Sequence, residues 1–441
     1  MAANGILAGF CRLDITPPMG IYLGGYFEER QADGVLDPLY VNAAAFSDGE
    51  RTAVVLACDL LGLTEPCGSS WPGQIARKLG LSEEAVFVCC THTHTGPVVE
   101  GSRYPADPLY DEWLQKRLLD AAQLAIRDLT PVTRMLAAEQ RFPRSAWVRR
   151  FMGEDGKVRT PKPQIVHELR YEASQPDETM RLVRLQREDA PELVLVNFQS
   201  HPDNIGGCRI SADYPGKLRE VVEQQAPGCR CIFYDGAEGQ MVQWDKREKR
   251  GFKGASCAYG YGVQLAGYAM RLYHDAQPLE TAGGVQFRQR ILMAPTKRDP
   301  ARLPEAERII ALHEAGRNDE VGPIGLQGAI YAEAYVIRSL EQQQLDEIPM
   351  KISMVTCGPL AFVGFPGEPF CEIGMAIRAA SPFPVTCVCC HTNGHVGYLA
   401  TAAAYDQGGY EPANSKLRKG VGELAQAVAI EGLQELAARN G

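Results

Sequence analysis

The stretch Ala85-Val86-Phe87-Val88-Cys89-Cys90-Thr91-His92-Thr93-His94 is a continuous apolar run that ends abruptly in two threonine-histidine pairs. Six apolar residues in a row, two of them valine, read as a short strand buried on both faces, as in a sheet covered by helices. The polar motif then falls just beyond the strand's carboxyl end, where α/β folds build their sites. Runs of the same character lie at 52 to 59, 193 to 199, 230 to 234, 351 to 363 and 384 to 390. Helical patterns at 109 to 128, 256 to 275, 302 to 316, 325 to 345 and 416 to 437 alternate with them. The expectation is an α/β fold of mixed, buried β-sheets covered by helices, in a single domain over 1 to 441 with an irregular insertion at about 141 to 190.

Three more apolar runs pass into chemistry-bearing residues in the same way. LVLVNFQ leads to Ser200-His201-Pro202-Asp203, GPLAFVGF to Pro366-Gly367-Glu368-Pro369, and VTCVCC to His391-Thr392-Asn393-Gly394-His395 and then Tyr398. In an extended segment His92 and His94 would point to the same side, about 6.6 to 7 Å apart. One metal takes both only if the strand bends; otherwise it takes one and leaves the other to carry protons. Spacing alone also allows a pair of hydrogen-bonded, half-buried imidazoles. Glu368, framed by Pro-Gly and Pro, is costly to bury unless it is paired or bound to a cation. Two histidines and a glutamate make a catalytic zinc set with an open position for water. Asp203 and Asp213 are candidates to orient ligand histidines from behind, with helix capping an equal reading for Asp213. His391 and His395 either line the same pocket or satisfy backbone groups, and His167, His274 and His313 read as solvated. By periodicity alone, Tyr398 and Tyr410 read as packing residues.

Composition narrows the class. With 45% hydrophobic and 22% charged residues the chain is an ordinary globular one, and its net charge of -9 comes without a basic cluster interleaved with aromatics, which argues against a nucleic-acid partner. No apolar run is long enough to cross a membrane, and the first residues lack the basic and apolar regions of an export signal, so a cytoplasmic protein without stable membrane association is expected. Its fourteen cysteines sit mostly inside apolar runs, as reduced thiols do when they pack as small hydrophobes. Oligomeric state is not encoded in any pattern found here.

Taken in order, the motifs resemble the catalytic domain of the neutral, non-lysosomal ceramidase family. The matching stretches are GFCRLDITPPMGIYLGGY at 9 to 26, CDLLGL at 58 to 63, THTHTGP, NFQSHPDN, ISADYPG at 210 to 216, GFPGEPF, and NGHVGYLATAAAYDQGGYEP ending at Pro412. The resemblance implies a zinc ion held by His92, His201, Glu368 and Tyr398, with His94 beside it for proton transfer. It also implies Tyr410 near the scissile carbonyl and Arg149, in WVRRF, at the family's Asn-Arg-Ser segment with Val148 in place of the Asn, so that Tyr410 together with Arg149 would donate to the developing oxyanion. One departure stands out: the family's Gly-Asp-Val-Ser-Pro-Asn segment falls on Gly239 to Trp244, so Val242 occupies the place of its serine. A serine route is therefore not carried over, whereas water activated by zinc is. The chain also lacks the family's extra C-terminal β-domain. These features imply a zinc-dependent amidohydrolase acting on a small soluble substrate, with Arg149, Arg150, Arg159, Lys162, Glu168 and Arg170 suited to polar recognition. The alternatives are a ceramidase proper, an esterase or lactonase using the same site, or a non-catalytic, metabolite-binding descendant.

Overall fold

The computed structural model describes residues 5 to 248 and 253 to 439. The run 85 to 90 is the strand Val86–Cys90, every residue of it buried. It forms one end of a nine-stranded mixed sheet whose path runs through Thr52–Cys58, Tyr40–Ser47, Leu7–Asp14, Thr130–Arg141, Thr179–Arg187 and Ala190–Phe198 to Cys229–Asp235, with Gln277–Pro278 paired to Thr130–Arg141 off that path. A four-stranded sheet packs over it, in the order Val285–Pro295, Glu347–Cys357, Leu360–Gly364, Val385–Cys389. The run 351 to 363 is thus two strands, because Gly358 turns the chain with φ 55, a left-handed conformation that only glycine adopts cheaply.

Between the sheets lies an apolar layer that joins Phe46, Val55, Phe87 and Tyr234 of the large sheet to Val355, Phe362 and Cys389 of the small one. Phe362 sits at its centre, with ring centroids 6.0, 6.1 and 5.1 Å from those of Phe46, Phe87 and Tyr234. Aromatic side chains contribute most of the apolar area in such a layer, at roughly 150 to 250 Å² each. The outer faces are covered by helices. Pro108–Arg127 packs on Leu7–Asp14 and Tyr40–Ser47, and Val421–Ala438 packs on the small sheet. The first of these starts where it does because Asp107 accepts hydrogen bonds from the N–H groups of Leu109 and Tyr110 and a proline follows at the first helical position. Asp213–Gln225 and Ala255–Asp275 pack against each other farther along the same outer face of the large sheet, on Cys229–Asp235, Thr179–Arg187 and Thr130–Arg141. Among the described residues no helix is long and apolar enough to cross a membrane. All fourteen cysteines are free thiols, most of them buried.

Within 141 to 190, the short pairs Trp147–Val148, Phe151–Met152, Val158–Arg159 and Tyr171–Glu172 give way to Thr179–Arg187, which pairs along its length with both Thr130–Arg141 and Ala190–Phe198. That strand carries an arginine at every third position, Arg181, Arg184 and Arg187, a pattern easily taken for surface.

What positions the site is the set of parallel pairs. Val86–Cys90 runs parallel to Thr52–Cys58, Cys229–Asp235 to Ala190–Phe198, and Val385–Cys389 to Leu360–Gly364, so within each pair both carboxyl ends, which lead into polar motifs, lie side by side. Asn393 stitches two of these ends together. Its side chain accepts from the Val88 N–H at 2.9 Å and donates to the Val86 carbonyl at 3.0 Å, while its own N–H donates to the Val88 carbonyl at 2.9 Å. The open edge of Val86–Cys90 is thereby satisfied by an asparagine side chain instead of another strand, as unpaired backbone groups in a buried place require.

Candidate metal centre

His92 leaves its strand in the left-handed region, with φ 63. A non-glycine residue held there costs on the order of 1 to 3 kcal/mol and marks a place where the surroundings over-determine the backbone. The consequence is geometric: the Nε2 atoms of His92 and His94 lie 3.3 Å apart, not at the extended-strand spacing, because the bend turns both rings to one point. His92 is held by its other nitrogen, with Nδ1 donating to the Leu61 carbonyl at 2.7 Å. That leaves Nε2 as the acceptor.

His201 repeats the arrangement from the next strand. Its Nδ1 lies 3.1 Å from the Glu238 carbonyl and in close contact with the Glu238 carboxylate, and its Nε2 lies 3.2 Å from Glu368 Oε2. The same Glu368 oxygen is 3.8 Å from His92 Nε2. Donor atoms of His92, His201, Glu238 and Glu368 all lie within 4.8 Å of one another, and all four residues are buried. Glu368 is brought in by a two-residue parallel strand, Glu368–Pro369, whose partner is Tyr398–Leu399, so Glu368 and Tyr398 are register neighbours. The Tyr398 hydroxyl accepts a hydrogen bond from Arg149 Nη2 at 2.9 Å, and its ring stacks at 6.5 Å from that of His201. Arg149 is anchored in turn by Glu411, Nε to Oε1 at 2.8 Å, and by the Gly239 carbonyl.

The electrostatics of the cluster call for a cation. Burial pushes the carboxyl groups of Glu368 and Glu238 up, each aggravated or opposed by its neighbours, and burial likewise pushes His92 and His201 below the usual imidazole range. Neutral imidazoles beside two buried carboxylates are the ligand forms a divalent ion requires, and the ion would supply the charge that the carboxylates lack. Glu368 Oε2 and His201 Nε2 are buried atoms without a hydrogen-bond partner among the described residues, and they face each other. Imidazole nitrogens with carboxylate and phenol oxygens suit zinc. The residues present therefore fit such a metal.

His94 stands beside these atoms with a different support. Its Nδ1 is 3.7 Å from Asp203 Oδ1, and Asp203 is itself held by the Tyr26 hydroxyl and by Lys253 Nζ at 3.0 Å. Burial pushes His94 down to about 3 against the opposing pull of Asp203. Asp213 contacts no histidine; its Oδ2 accepts the N–H groups of Asn204 and Ile205 at 3.0 and 2.8 Å and so fixes the loop that carries His201. Tyr410 packs edge-on to Tyr398 at 6.0 Å, and its hydroxyl accepts from Asn414 Nδ2 at 3.1 Å. Val242 is buried in the short strand Met241–Val242, paired with Trp147–Val148, with no hydroxyl to offer.

Of the cations named from the sequence, Arg150 is buried and committed to Glu411 and the Gly408 carbonyl, Arg159 pairs with Asp155, and Arg170 with Glu154. Lys162 takes part in a different group: Lys246 is pushed down to about 8 by burial, with Lys253, Arg149 and Lys162 adding repulsion against the pull of Asp203. Sequence reading missed Glu238 and Glu411. Glu238 had a signal, since it follows Cys229–Asp235 as the other motifs follow their strands, whereas Glu411 had only its place after Tyr410.

No family model matches this chain, and no curated protein matches it. Solved structures do. The crystal structure of neutral ceramidase from Pseudomonas aeruginosa matches with a TM-score of 0.74 at 16% identity, covering 99% of this chain and 75% of that one. A ceramidase complexed with C2 matches with a TM-score of 0.72, also at 16% identity, over 99% of this chain and 76% of that one. The chain has the fold of the neutral ceramidases.

Proposed function

We propose that the protein is a zinc-dependent hydrolase that cleaves the amide bond of a small, polar N-acyl substrate. The observation that supports it most is the convergence of His92 Nε2, His201 Nε2 and Glu368 Oε2 on one buried point, with His94 Nε2 beside them. Tyr398 completes the ligand set in this reading: burial pushes its hydroxyl well above the usual phenol range, the Arg149 charge opposes that, and the Arg149 hydrogen bond holds the oxygen beside Glu368 and His201. Zinc bound there supplies Lewis acidity, lowering the pKa of a water towards about 7 and polarising a carbonyl.

The chain's own groups handle the protons. His94 takes the proton of the attacking water at Nε2, and the Asp203 carboxylate near Nδ1 stabilises the resulting imidazolium. As the water oxygen bonds to the carbonyl carbon and the carbon–nitrogen bond breaks, His94 returns that proton to the leaving amine. The products are a carboxylic acid and an amine. Tyr410 accepts from Asn414 and so keeps its own O–H free to donate to the developing oxyanion, where one such donor contributes on the order of 3 kcal/mol. Arg149, spent on Tyr398 and Glu411, positions these groups. Lys253, whose Nζ lies 3.0 Å from Asp203 Oδ1 beside His94, favours a polar and electron-rich substrate over an apolar tail.

The test is a panel of short- and long-chain ceramides in detergent beside polar N-acyl compounds, with metal content measured on the same preparation. The expected result is about one or more zinc per chain, turnover of a polar amide, and loss of both in His92→Ala. Efficient ceramide turnover with no polar amide cleaved would overturn the substrate class. Esters and lactones belong in the same panel, since the site would serve them too.

A further inference from the structure

Two histidines beside the centre have no part in that mechanism. His391 is fully buried and its ring lies flat on that of His92, centroids 4.0 Å apart and 10° from parallel. Its Nε2 is 3.3 Å from Glu238 Oε1, and its Nδ1 is 2.9 Å from Nδ1 of His395. Once Nε2–H is donated to Glu238, His391 Nδ1 must carry a lone pair. One nitrogen of each of these two rings and a Glu368 oxygen all lie within 4.8 Å of one another. A fixed oxygen behind each buried imidazole, Leu61 carbonyl for His92 and Glu238 for both His201 and His391, is how ligand histidines are normally oriented.

We propose that Glu368, His391 and His395 form a second divalent-cation site that shares the Glu368 carboxylate with the first, so that the centre is binuclear. The backbone is shaped for it. His391 and Asn393 both sit in the left-handed region, with φ 46 and 51, and Asn393 is the residue stitched to Val86–Cys90, so the strain is held by that edge. Room for His395 comes from Gly62, where a Cβ would lie 3.1 Å from His395 Nδ1. His395 is only partly buried, which leaves the group reachable from one side. Such a donor set takes a first-row divalent ion, zinc foremost. Metal pairs sharing a carboxylate sit roughly 3.5 to 4 Å apart and clamp two oxygens of a reacting group.

The inference rests on Glu368 being a ligand of the first centre, and metal stoichiometry separates the two. The purified full chain is stripped with chelator and titrated with Zn²⁺ and with Co²⁺, following uptake by metal analysis and the Co²⁺ visible bands. The wild type should take up about two equivalents, and His395→Asn about one, with the first equivalent bound as in the wild type. His391→Asn should behave alike, but His391 is deeply buried; His395→Asn, checked by its thermal melt, carries the test if the other fails to fold. A wild type that takes up about one equivalent, or a His395→Asn chain that still takes two, overturns the second site and leaves the first. A wild type that takes up none overturns both.

Discussion

Replacing Glu238 with glutamine probes the part of the centre that lies behind the ligands. The carboxylate is fully buried, with one oxygen against His201 Nδ1 and the other 3.3 Å from His391 Nε2. An amide can accept at one end only. At the other it presents an NH₂ to a ring N–H, so one histidine loses its acceptor. Losing such a partner behind a ligand typically costs 10- to 100-fold in metal affinity, about 1.4 to 2.7 kcal/mol. Here the Glu238 carbonyl remains 3.1 Å from His201 Nδ1 and still enforces the tautomer, which places the expected loss at the first centre near the lower bound, about tenfold. The metal-free protein should melt at the same temperature or higher, because a neutral amide replaces a buried carboxyl group that is already pushed up by desolvation. Zn²⁺ competition against a chromophoric chelator measures the affinity, and a scanning melt of the stripped protein measures the rest. An unchanged dissociation constant would refute the orienting role. A loss beyond about 1,000-fold would refute it in the other direction, by making Glu238 a direct ligand.

His94→Ala should retain zinc while kcat falls by roughly 10² to 10⁴, read by parallel metal analysis and steady-state kinetics on whichever polar amide is cleaved. Tyr410→Phe should leave metal content and KM nearly unchanged and lower kcat by about 10² to 10³, the usual effect of removing one oxyanion donor. Asp213 gives a test of pH linkage that is independent of the metal. Burial pushes its carboxyl up to about 7, against the opposing N–H groups of Ile205, Tyr214 and Asn204, while the unfolded value is about 3.9. The folded chain thus holds a proton that the unfolded chain releases between about pH 4 and 7, so this group's contribution is complete below pH 4 and lost as pH rises through 7. Urea denaturation should show the stability advantage of wild type over Asp213→Asn shrinking from pH 5 to pH 8, and an advantage that grows with pH would contradict the assignment.

The strands and most of the candidate site were legible because they use the strongest local signals a chain has. Val86–Cys90, Ala190–Phe198 and Val385–Cys389 are apolar enough to be recognised alone, and His92, His201, Glu368 and His391 each follow such a run directly. Thr179–Arg187 was not, since its three arginines find Glu139 and Glu192 across the sheet and Pro191 and Asp128 at its edge, partners that no local pattern announces. The bend at His92 was foreseen only as a condition. Nothing in THTH dictates φ 63, which holds because the surrounding loops are fixed by Asn393 and by the Leu61 carbonyl.

By itself the sequence determined which residue types stand at the carboxyl ends of buried strands, because hydrophobic patterning is local and survives without knowledge of neighbours. Only the tertiary structure decided which of those ends meet, that Glu238 stands behind both His201 and His391, that Arg149 reaches Tyr398, and that His395 faces His391. These pairs lie between 4 and about 250 positions apart in the chain, and their geometry is set by sheet register, parallel pairing and a few left-handed residues whose strain is tolerated because the packed structure leaves the backbone no alternative.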